Sequence, residues 1–377
     1  GRQGTAAAYD LCKQEDTESV TVADAVRERA ENSCNRINGL TGRAAANPQS
    51  LDVTDRNALI ALLQKADMAL SAVPYYHNLE IANCAVEAKT SLCDLGGNTE
   101  IVFRQLELDS IAKQKGITIV PDCGMVPGLG TSMCTYAMSL VDEPQEVFLW
   151  DGGIPKNPKP PWNYILTFHF EGLVNEYFGT TEFLRDGKIV NVPCFQEYEL
   201  VDFPDPIGQL EAFTTAGGTS TGPRTFLGKL KTYQNKTLRY KGHYENWKTF
   251  NDAGLLETEP VMIHGNKIRP RDFLQQIHEP QIRAKAGDED VCIIRAKCIG
   301  KRNQATVDLF DYYDPKTKFT SMERTTGFHL AIMARFIAQG KVPPGGVPVE
   351  LAVPGSEIAD ECRKRGMDVT AKTESLA

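Results

Sequence analysis

The stretch Gly1-Arg2-Gln3-Gly4, continued by Thr5-Ala6-Ala7-Ala8, decides the fold prediction for this chain. Two glycines three residues apart, before a run of small helix-forming residues, are typical of the second half of a G-x-G-x-x-G turn. In that turn, the backbone and the helix N-terminus hold the pyrophosphate of a dinucleotide. We therefore expect residues 1–4 to bind a dinucleotide, and we expect a strand before Gly1 that this sequence does not include.

An acidic residue follows this turn at a suitable distance. Residues 19–23 are β-rich and end on Asp24, about twenty residues past Gly4, where a carboxylate accepts hydrogen bonds from the ribose hydroxyls. This position favours NAD over NADP. Asp24 also fits a simple helix N-cap, and Arg27 or Arg29 is able to pair with a 2′-phosphate, so NADP stays open.

The composition is that of a globular protein with a small-molecule partner. The chain has 377 residues, of which 41% are hydrophobic and 24% charged, enough for two domains with buried cores. The net charge of −8 argues against a nucleic-acid partner, and no apolar run approaches the roughly 20 residues of a membrane span. The ten cysteines form no C-x-x-C pair, so we expect reduced thiols in the cytoplasm and no metal site.

Short β-like and helical segments alternate along the first third of the chain. The predicted elements, in chain order, are helix 59–65, strand 66–71, helix 79–89, strand 90–94, helix 100–115 and strand 117–120. This order predicts a doubly wound parallel sheet, in which ligands bind beyond the carboxyl ends of the strands. Besides residues 1–4 and Asp24, the predicted cofactor contacts are Asp52, Val53, Ser71, Val73, Pro74, Asp94 and Gly96.

Past Gly128 the alternation stops, and β-rich segments follow one another. They lie at 146–150, 164–170, 188–193, 290–299 and 304–313. This pattern predicts an α+β domain with a mainly antiparallel sheet. Residues 151–162 are typical of a loop, and 325–340 predict a helix before a polar tail.

These observations divide the predicted fold into three parts. We expect a Rossmann domain at 1–128, lacking its first strand, and an α+β substrate and dimerisation domain at 129–322. The third part, 323–377, is expected to form C-terminal helices that pack back on the Rossmann domain. Open sheet edges commonly pair, so we expect a homodimer or a higher assembly.

Several motifs along the chain resemble those of one enzyme family. They are 72–77 (AVPYYH), 93–98 (CDLGGN), 122–124 (DCG) with Pro127-Gly128, 152–155 (GGIP), 172–177 (GLVNEY), 217–221 (GGTST) and Arg239-Tyr240 with Gly242-His243. The set resembles the saccharopine dehydrogenase-like oxidoreductases, and within them most closely the lysine 6-dehydrogenases. The resemblance implies a Rossmann domain joined to an α/β substrate domain. It also implies NAD-dependent oxidative deamination of the lysine side-chain amine to a semialdehyde that cyclises. The alternative is a saccharopine-type reaction on a secondary-amine adduct with NAD or NADP.

The chemistry of such a site selects the candidate catalytic residues. Hydride loss from the carbon that bears the amine leaves an iminium cation, which a carboxylate stabilises, and a base must activate water. We expect Asp122 to supply the carboxylate and His243 to move the proton, with His77 as the alternative base. A turn cap for Asp122 and a structural hydrogen bond for either histidine remain the alternatives.

The predicted substrate contacts are Tyr76, Asp122, Cys123, Trp162, Thr219, Arg239 and His243. Arg239, or else Arg224, fits the α-carboxylate of an amino acid because a guanidinium binds a carboxylate as a fork. Trp162 is expected to wall the substrate methylenes. A saccharopine-type substrate needs additional cationic anchors, for which Lys156 and Lys159 are the candidates.

Overall fold

The computed structural model describes residues 1–285 and 287–376. Its strands are β1 (Val20–Asp24), β2 (Ala46–Ser50), β3 (Met68–Ser71), β4 (Ser91–Asp94), β5 (Thr118–Val120), β6 (Glu146–Pro155), β7 (Thr180–Arg185), β8 (Lys188–Pro193), β9 (Glu199–Asp202), β10 (Gln209–Phe213), β11 (Thr232–Arg239), β12 (Val261–Ile263), β13 (Asn266–Ile268), β14 (Asp290–Ile299), β15 (Asn303–Tyr312), β16 (Gly345–Gly346) and β17 (Asp368–Ser375).

The helices lie between these strands, and a short 3-10 helix covers Tyr75–His77. The α-helices are α1 (Arg2–Cys12), α2 (Arg27–Thr41), α3 (Arg56–Leu63), α4 (Asn78–Ala88), α5 (Thr99–Leu106), α6 (Asp109–Lys115), α7 (Leu129–Ser139), α8 (Phe170–Glu176), α9 (Gly222–Thr225), α10 (His243–Asp252), α11 (Pro270–Ile282), α12 (Ser321–Ala338), α13 (Val349–Ala352) and α14 (Gly355–Lys364).

The chain forms two compact units. Unit 1 contains Gly1–Ser139, Asp314–Phe319 and Glu323–Gly366. Unit 2 contains Leu140–Tyr313, Thr320–Met322 and the chain from Met367 onward. Helix α12 therefore belongs mostly to unit 1, whereas the last strand belongs to unit 2.

Unit 1 has the predicted parallel, Rossmann-type architecture. β1 pairs with β2 in a two-stranded parallel sheet, and β3, β4, β5 and β16 form a four-stranded parallel sheet in the order β16-β5-β4-β3. Leu92 and Ile119 are fully buried beneath side chains of α3 and α4. Such burial explains the continuous apolar runs of β4 and β5, because helices cover parallel sheets.

Unit 2 is built on a nine-stranded mixed sheet, which confirms the predicted mainly antiparallel α+β part. The order is β17-β15-β14-β6-β11-β10-β9, and β7 joins β11 to β8. Only the β6–β11 pair among these neighbours is parallel. The carboxyl ends of these two strands consequently lie on the same side of the sheet.

Strand β6 runs through the start of the stretch that we predicted as a loop. It extends to Pro155 and pairs with β11 and β14 on either side. A Cβ on Gly152 would lie 2.4 Å from the Leu238 oxygen, and one on Gly153 would lie 2.5 Å from Met322 Cε. The two glycines thus mark close packing inside the sheet, which composition alone does not distinguish from a turn.

Two further predictions about single elements were wrong. Residues 164–169 form no strand, and Phe170 opens α8. Their apolar side chains enter the core of unit 2, while Leu166 makes an isolated bridge to Arg283. At the end of 323–377, where we expected helices, Asp368–Ser375 form strand β17, which pairs along β15.

Candidate functional site

The first helix has the geometry of a dinucleotide-binding turn. Gly1 is the N-cap of α1, and the backbone of Thr5 donates a 2.9 Å hydrogen bond to its carbonyl oxygen. A Cβ on Gly4 would lie 3.1 Å from the Cβ of Ala72, just after β3. Glycine therefore permits the close approach of this helix to the end of β3, as the motif requires. The first N–H groups of α1 lack partners within the helix and face outward from its N-terminus, where phosphate binds.

Two predicted cofactor residues lie beside this turn in unit 1. The Gly1 nitrogen is 3.9 Å from Asp24 Oδ2, at the carboxyl end of β1. The other Asp24 oxygen accepts a 2.9 Å hydrogen bond from the Val26 backbone. Arg2 extends away from this carboxylate, because its Nε donates to buried Glu323 at 2.7 Å. The Arg2 side chain is thus engaged with Glu323, and its cofactor contact stays a prediction for the backbone N–H at the start of α1.

The remaining predicted cofactor residues follow three strand ends. Asp52 lies beyond β2, where hydrogen bonds from the backbone and hydroxyl of Thr54 lower its pKa. Val53 packs against the core of unit 1. Ser71 ends β3 and donates a 2.8 Å hydrogen bond to Asn78 at the start of α4. Val73 and Pro74 continue from this strand end to the 3-10 helix.

That 3-10 helix carries Tyr76 and His77 to the surface of unit 1. The Tyr76 side chain is 59% exposed, and its ring centroid lies 4.5 Å from that of half-buried His77. The ring contacts of Tyr76 are with Tyr75 and His77. The roles of Tyr76 and His77 in substrate binding and catalysis stay predictions.

Asp94, Gly96 and Asp122 form one buried cluster at the ends of β4 and β5. Asp94 accepts 2.7 Å hydrogen bonds from the Gly96 backbone and from Gln105, and burial raises its pKa to about 6. A Cβ on Gly96 would lie only 1.9 Å from Asp122 Oδ1. Asp122 has a φ of 63° and is 2% exposed, so its carboxylate lies against the Gly96 backbone.

Cys123 and His329 complete the interior of this cluster in unit 1. The Cys123 thiol is fully buried, and burial raises its pKa well above the ordinary value. His329, on α12, contacts the Cys123 carbonyl at 3.0 Å and the Ser132 hydroxyl at 3.3 Å. Burial lowers the pKa of His329 to about 4, so the ring is neutral at pH 7. This histidine fixes the backbone next to Asp122, and no sequence motif had indicated it.

A second cluster lies at the carboxyl end of β11 in unit 2. Arg239 is 4% exposed and donates hydrogen bonds to the Tyr177 hydroxyl at 2.8 Å and to Glu176 at 3.3 Å. A third bond reaches the Leu238 carbonyl at 2.9 Å. The guanidinium therefore holds the end of α8 against β11.

His243 is joined to this cluster through Tyr177. Its Nε2 lies 2.9 Å from the Tyr177 hydroxyl. Because that hydroxyl oxygen accepts from Arg239, its hydrogen is directed to His243. Burial, and next the Arg239 charge, hold the His243 pKa well below its ordinary value. His243 is thus a neutral, 1% exposed acceptor, and its predicted proton shuttling stays a prediction.

Two carboxyls in this cluster have raised pKa values. Burial raises the pKa of Glu176 to about 7, although Arg239 opposes this effect. Burial also raises the pKa of Asp151, on β6, to about 6, with a 2.7 Å hydrogen bond from Asn235 acting against it. The Glu176 side chain remains 37% exposed, so this group is able to exchange a proton with a ligand near neutral pH.

Glu211 orients the helix that carries His243. Its two carboxylate oxygens accept from the backbones of Gly242 at 2.9 Å and Tyr244 at 3.0 Å. A carboxylate at a helix N-terminus satisfies free N–H groups and interacts favourably with the helix dipole. Both oxygens of Glu211 thus accept backbone hydrogen bonds at the start of α10.

A cavity of about 400 Å³ adjoins this cluster. Its wall is formed by residues 155, 157, 159–162, 164, 165, 281–283, 285 and 287–289. Trp162 and Tyr164 belong both to this wall and to the surroundings of His243. The Trp162 Nε1 donates to Gln281 at 3.2 Å, while the Tyr164 ring lies 4.9 Å from that of His243. The cations Lys159, Arg283 and Lys285 line the cavity together with Asp288 and Glu289.

Other residues predicted for substrate lie outside this arrangement. Thr219 is buried and bonds to the Glu182 carbonyl at 2.8 Å and to Thr181 at 3.2 Å. Arg224 makes an exposed pair with Glu182. Lys156 pairs with Glu289 at 2.6 Å. The structure therefore brings together Arg239, His243 and Trp162 in unit 2, and Asp94, Gly96, Asp122 and Cys123 in unit 1.

Comparison with known proteins identifies the family. The model of the saccharopine dehydrogenase NADP-binding domain matches residues 1–120, and that of the saccharopine dehydrogenase C-terminal domain matches residues 124–367. The chain belongs to the saccharopine dehydrogenase family. The dinucleotide turn is therefore part of an NAD(P)-binding domain, as predicted.

Individual relatives agree with this assignment. An NADP-dependent, L-glutamate-forming saccharopine dehydrogenase of Pyricularia oryzae is 27% identical over 65% of this chain and 55% of its own length. The Saccharomyces cerevisiae enzyme of the same description is 26% identical over 60% of this chain and 52% of its own. These matches span about half the length of the relatives. An apo structure of the latter kind of enzyme from S. cerevisiae is similar with a TM-score of 0.79 and 20% identity, over 99% of this chain and 98% of that one.

No helix in the described part of the chain is both long and apolar enough to cross a membrane. Among the same residues, no three His, Cys, Asp or Glu side chains are grouped as metal ligands.

Proposed function

We propose that this protein is an NAD(P)-dependent oxidoreductase that acts on the C–N bond of a saccharopine-type adduct, in which a lysine side-chain nitrogen carries a dicarboxylic amino-acid residue. The observation that carries the proposal is the cavity beside Trp162, whose walls hold three cations, Lys159, Arg283 and Lys285. Such an adduct has three carboxylates, whereas lysine has one. Asp288 and Glu289 line the same wall, and Lys159 lies 3.7 Å from Asp288, so the cations exceed the carboxylates by one, and this excess favours the adduct.

The reaction breaks the bond between the lysine-derived side-chain carbon and the secondary amine. NAD(P)⁺, when bound, would supply the hydride acceptor, and loss of hydride from that carbon leaves an iminium on the substrate. Addition of water to the iminium and departure of the amine give the semialdehyde and glutamate, with one proton released. The protein must bind the carboxylates, hold a neutral amine and remove a proton from water.

Glu176 is our candidate for the proton-holding group in unit 2. Its side chain is 37% exposed, while burial raises the pKa of the carboxyl to about 7, which allows either protonation state at neutral pH. Arg239 keeps this carboxyl in place, so Arg239 is a positioning residue in this proposal. Asp122 remains our candidate for stabilising the iminium, because its 2% exposed side chain lies beside Gly96, close to the ends of β4 and β5.

Deamination of lysine itself is the second candidate, and it is chemically close. Both reactions remove hydride from the same carbon and yield the same semialdehyde. They differ in the amine released, which is ammonia from lysine and glutamate from the adduct. The motifs quoted above favour the lysine reaction, whereas the relatives and the cation-lined cavity favour the adduct.

The test compares the two substrates with both cofactors. Purified protein is given saccharopine or L-lysine with NAD⁺ or NADP⁺, and reduced cofactor is followed by absorbance. We expect saccharopine to be oxidised. We expect K159Q/K285Q to raise the KM for saccharopine at least about tenfold, because each lost charge weakens carboxylate binding. The control is K229Q, which changes an exposed lysine away from the cavity. An unchanged KM would remove the cavity from the proposal.

The cellular location is also a proposal. All ten cysteines are free and buried in the described structure, which agrees with a reducing compartment. We propose that the protein works in the cytoplasm.

A further inference from the structure

The hairpin β12–β13 leaves an apolar edge uncovered. It forms a separate two-stranded sheet in unit 2, and all three side chains of β12 are exposed: Val261 by 47%, Met262 by 62% and Ile263 by 42%. A two-stranded hairpin alone is marginally stable in water, and three or more strands are usually needed. An apolar open edge is a template for another strand.

The turn of the hairpin determines which backbone groups point outward. His264 and Gly265 have φ values of 47° and 82° and form a two-residue turn between the paired residues Ile263 and Asn266. In such a hairpin the flanking pair is hydrogen-bonded, and paired residues alternate along the strands. Val261 and Ile263 therefore bond to β13. Met262 directs its N–H and C=O to the open edge.

We propose that β12 pairs in antiparallel fashion with β12 of a second copy of this chain, about a two-fold axis that passes beside Met262. Met262 of each copy donates to and accepts from Met262 of the other, and Val261 of one copy lies opposite Ile263 of the other. The pairing is isologous, as in most homodimers. It converts two hairpins into one four-stranded sheet and covers the exposed apolar edge.

The charges along the strands favour this edge over those of β13, β9 and β17. Self-pairing of β13 about Lys267 places two ammonium groups opposite each other. Self-pairing of β9 places Glu199 opposite Asp202, and self-pairing of β17 about Ala371 places Asp368 opposite Glu374. Like charges directly opposite each other destabilise a sheet. β12 carries no charged residue.

A cysteine at the two-fold axis tests the pairing directly. The native cysteines are all buried, so Met262→Cys adds an accessible thiol. Across a hydrogen-bonded antiparallel pair the Cα atoms are about 5.5 Å apart, a distance that a disulfide spans. We expect mild oxidation to convert most M262C chains to a covalent dimer. The control Lys267→Cys places its thiol on β13, and we expect it to stay uncrosslinked.

A second variant tests the assembly without a crosslinking reaction. Met262→Glu places two carboxylates at the axis, and we expect light scattering to show a dimer for the unchanged protein and a monomer for M262E. Leu227→Glu, which alters another exposed apolar side chain of unit 2, should remain dimeric. Circular dichroism checks that all variants are folded. A monomeric unchanged protein, a dimeric M262E or an M262C that does not crosslink would overturn the proposal.

Discussion

The Nε of Arg239 donates a 2.8 Å hydrogen bond to the hydroxyl oxygen of Tyr177. This bond leaves the Tyr177 hydrogen for His243 Nε2, 2.9 Å away. One hydroxyl therefore joins β11, α8 and α10, and it holds His243 as an acceptor. The Glu176 carboxylate pairs with the same guanidinium, so the position of Glu176 depends on how Tyr177 and Arg239 are held together.

Tyr177→Phe removes the joining hydroxyl without changing the shape of the ring. Arg239 and His243 each lose a buried partner, and an unsatisfied buried polar group costs about 1–3 kcal/mol. We expect the free energy of unfolding in urea to fall by about 2 kcal/mol or more for the two groups together. Tyr312→Phe, at an exposed tyrosine, should change it little. Equal stability of the two variants would contradict the account of this cluster.

Glu176→Gln tests the raised carboxyl pKa. Burial raises that pKa from 4.5 to about 7, so the folded state holds the proton more tightly than the unfolded chain between these values. This group therefore makes stability fall as the pH rises from about 4.5 to about 7. We measure the urea midpoint of unfolding across this pH range, and we expect it to fall less in E176Q than in the unchanged protein. The control Glu245→Gln, at an exposed glutamate, should leave the fall unchanged. A fall as large in E176Q as in the unchanged protein would exclude the assigned shift.

His278→Phe tests the opposite kind of shift. His278 lies among the rings of Trp162, Trp247 and Phe250, and burial lowers its pKa from 6.5 to about 4. Below about pH 6.5 the unfolded chain takes up a proton that the folded state refuses, so stability is lost as the pH falls toward 4.

We expect H278F to recover on the order of 2 kcal/mol at about pH 5 relative to the unchanged protein. The same comparison at about pH 8 is the control, because the ring is then neutral in both states. A difference between the two proteins that does not change with pH would show that His278 is not held neutral by burial.

Asp24→Asn tests the choice of cofactor. In the NAD(P)-binding domain, an aspartate at the end of β1 accepts bonds from the ribose hydroxyls of NAD and repels the 2′-phosphate of NADP. We expect D24N to raise the KM for NAD⁺ at least about fivefold and to lower that for NADP⁺. Glu28→Gln, one turn along in α2, should leave the ratio near its original value. A ratio unchanged by D24N would place the selectivity elsewhere, with Arg27 and Arg29 as the next residues to change.

Asp122→Asn tests the predicted electrostatic role. The side chain keeps its size beside Gly96, but it no longer carries the charge that would stabilise an iminium. We expect kcat to fall at least about a hundredfold while cofactor binding, measured by fluorescence, changes less than about threefold. If kcat is retained, Asp122 serves only the turn around its left-handed backbone.

The sequence predicted the architecture better than the cluster of unit 2. Gly4, Asp24, Asp94 and Gly96 follow from the order of strands and helices, because ligands of parallel sheets lie at strand ends. Glu176 and Tyr177 were quoted only within a family motif, since no periodicity indicates that the end of α8 meets β11. His329 was missed because its partners are distant in sequence, and a lone histidine on a buried helix face gives no signal of them.

The measurement that tests the central claim most directly identifies the amine released during cofactor reduction. Saccharopine is oxidised with NADP⁺, and in parallel with NAD⁺, while glutamate and ammonia are quantified against reduced cofactor. L-lysine is treated in the same way. The account predicts one glutamate per reduced cofactor from saccharopine, no ammonia from it, and little reaction with lysine. Stoichiometric ammonia from lysine, with saccharopine unreacted, would contradict it and establish the deaminating reaction instead.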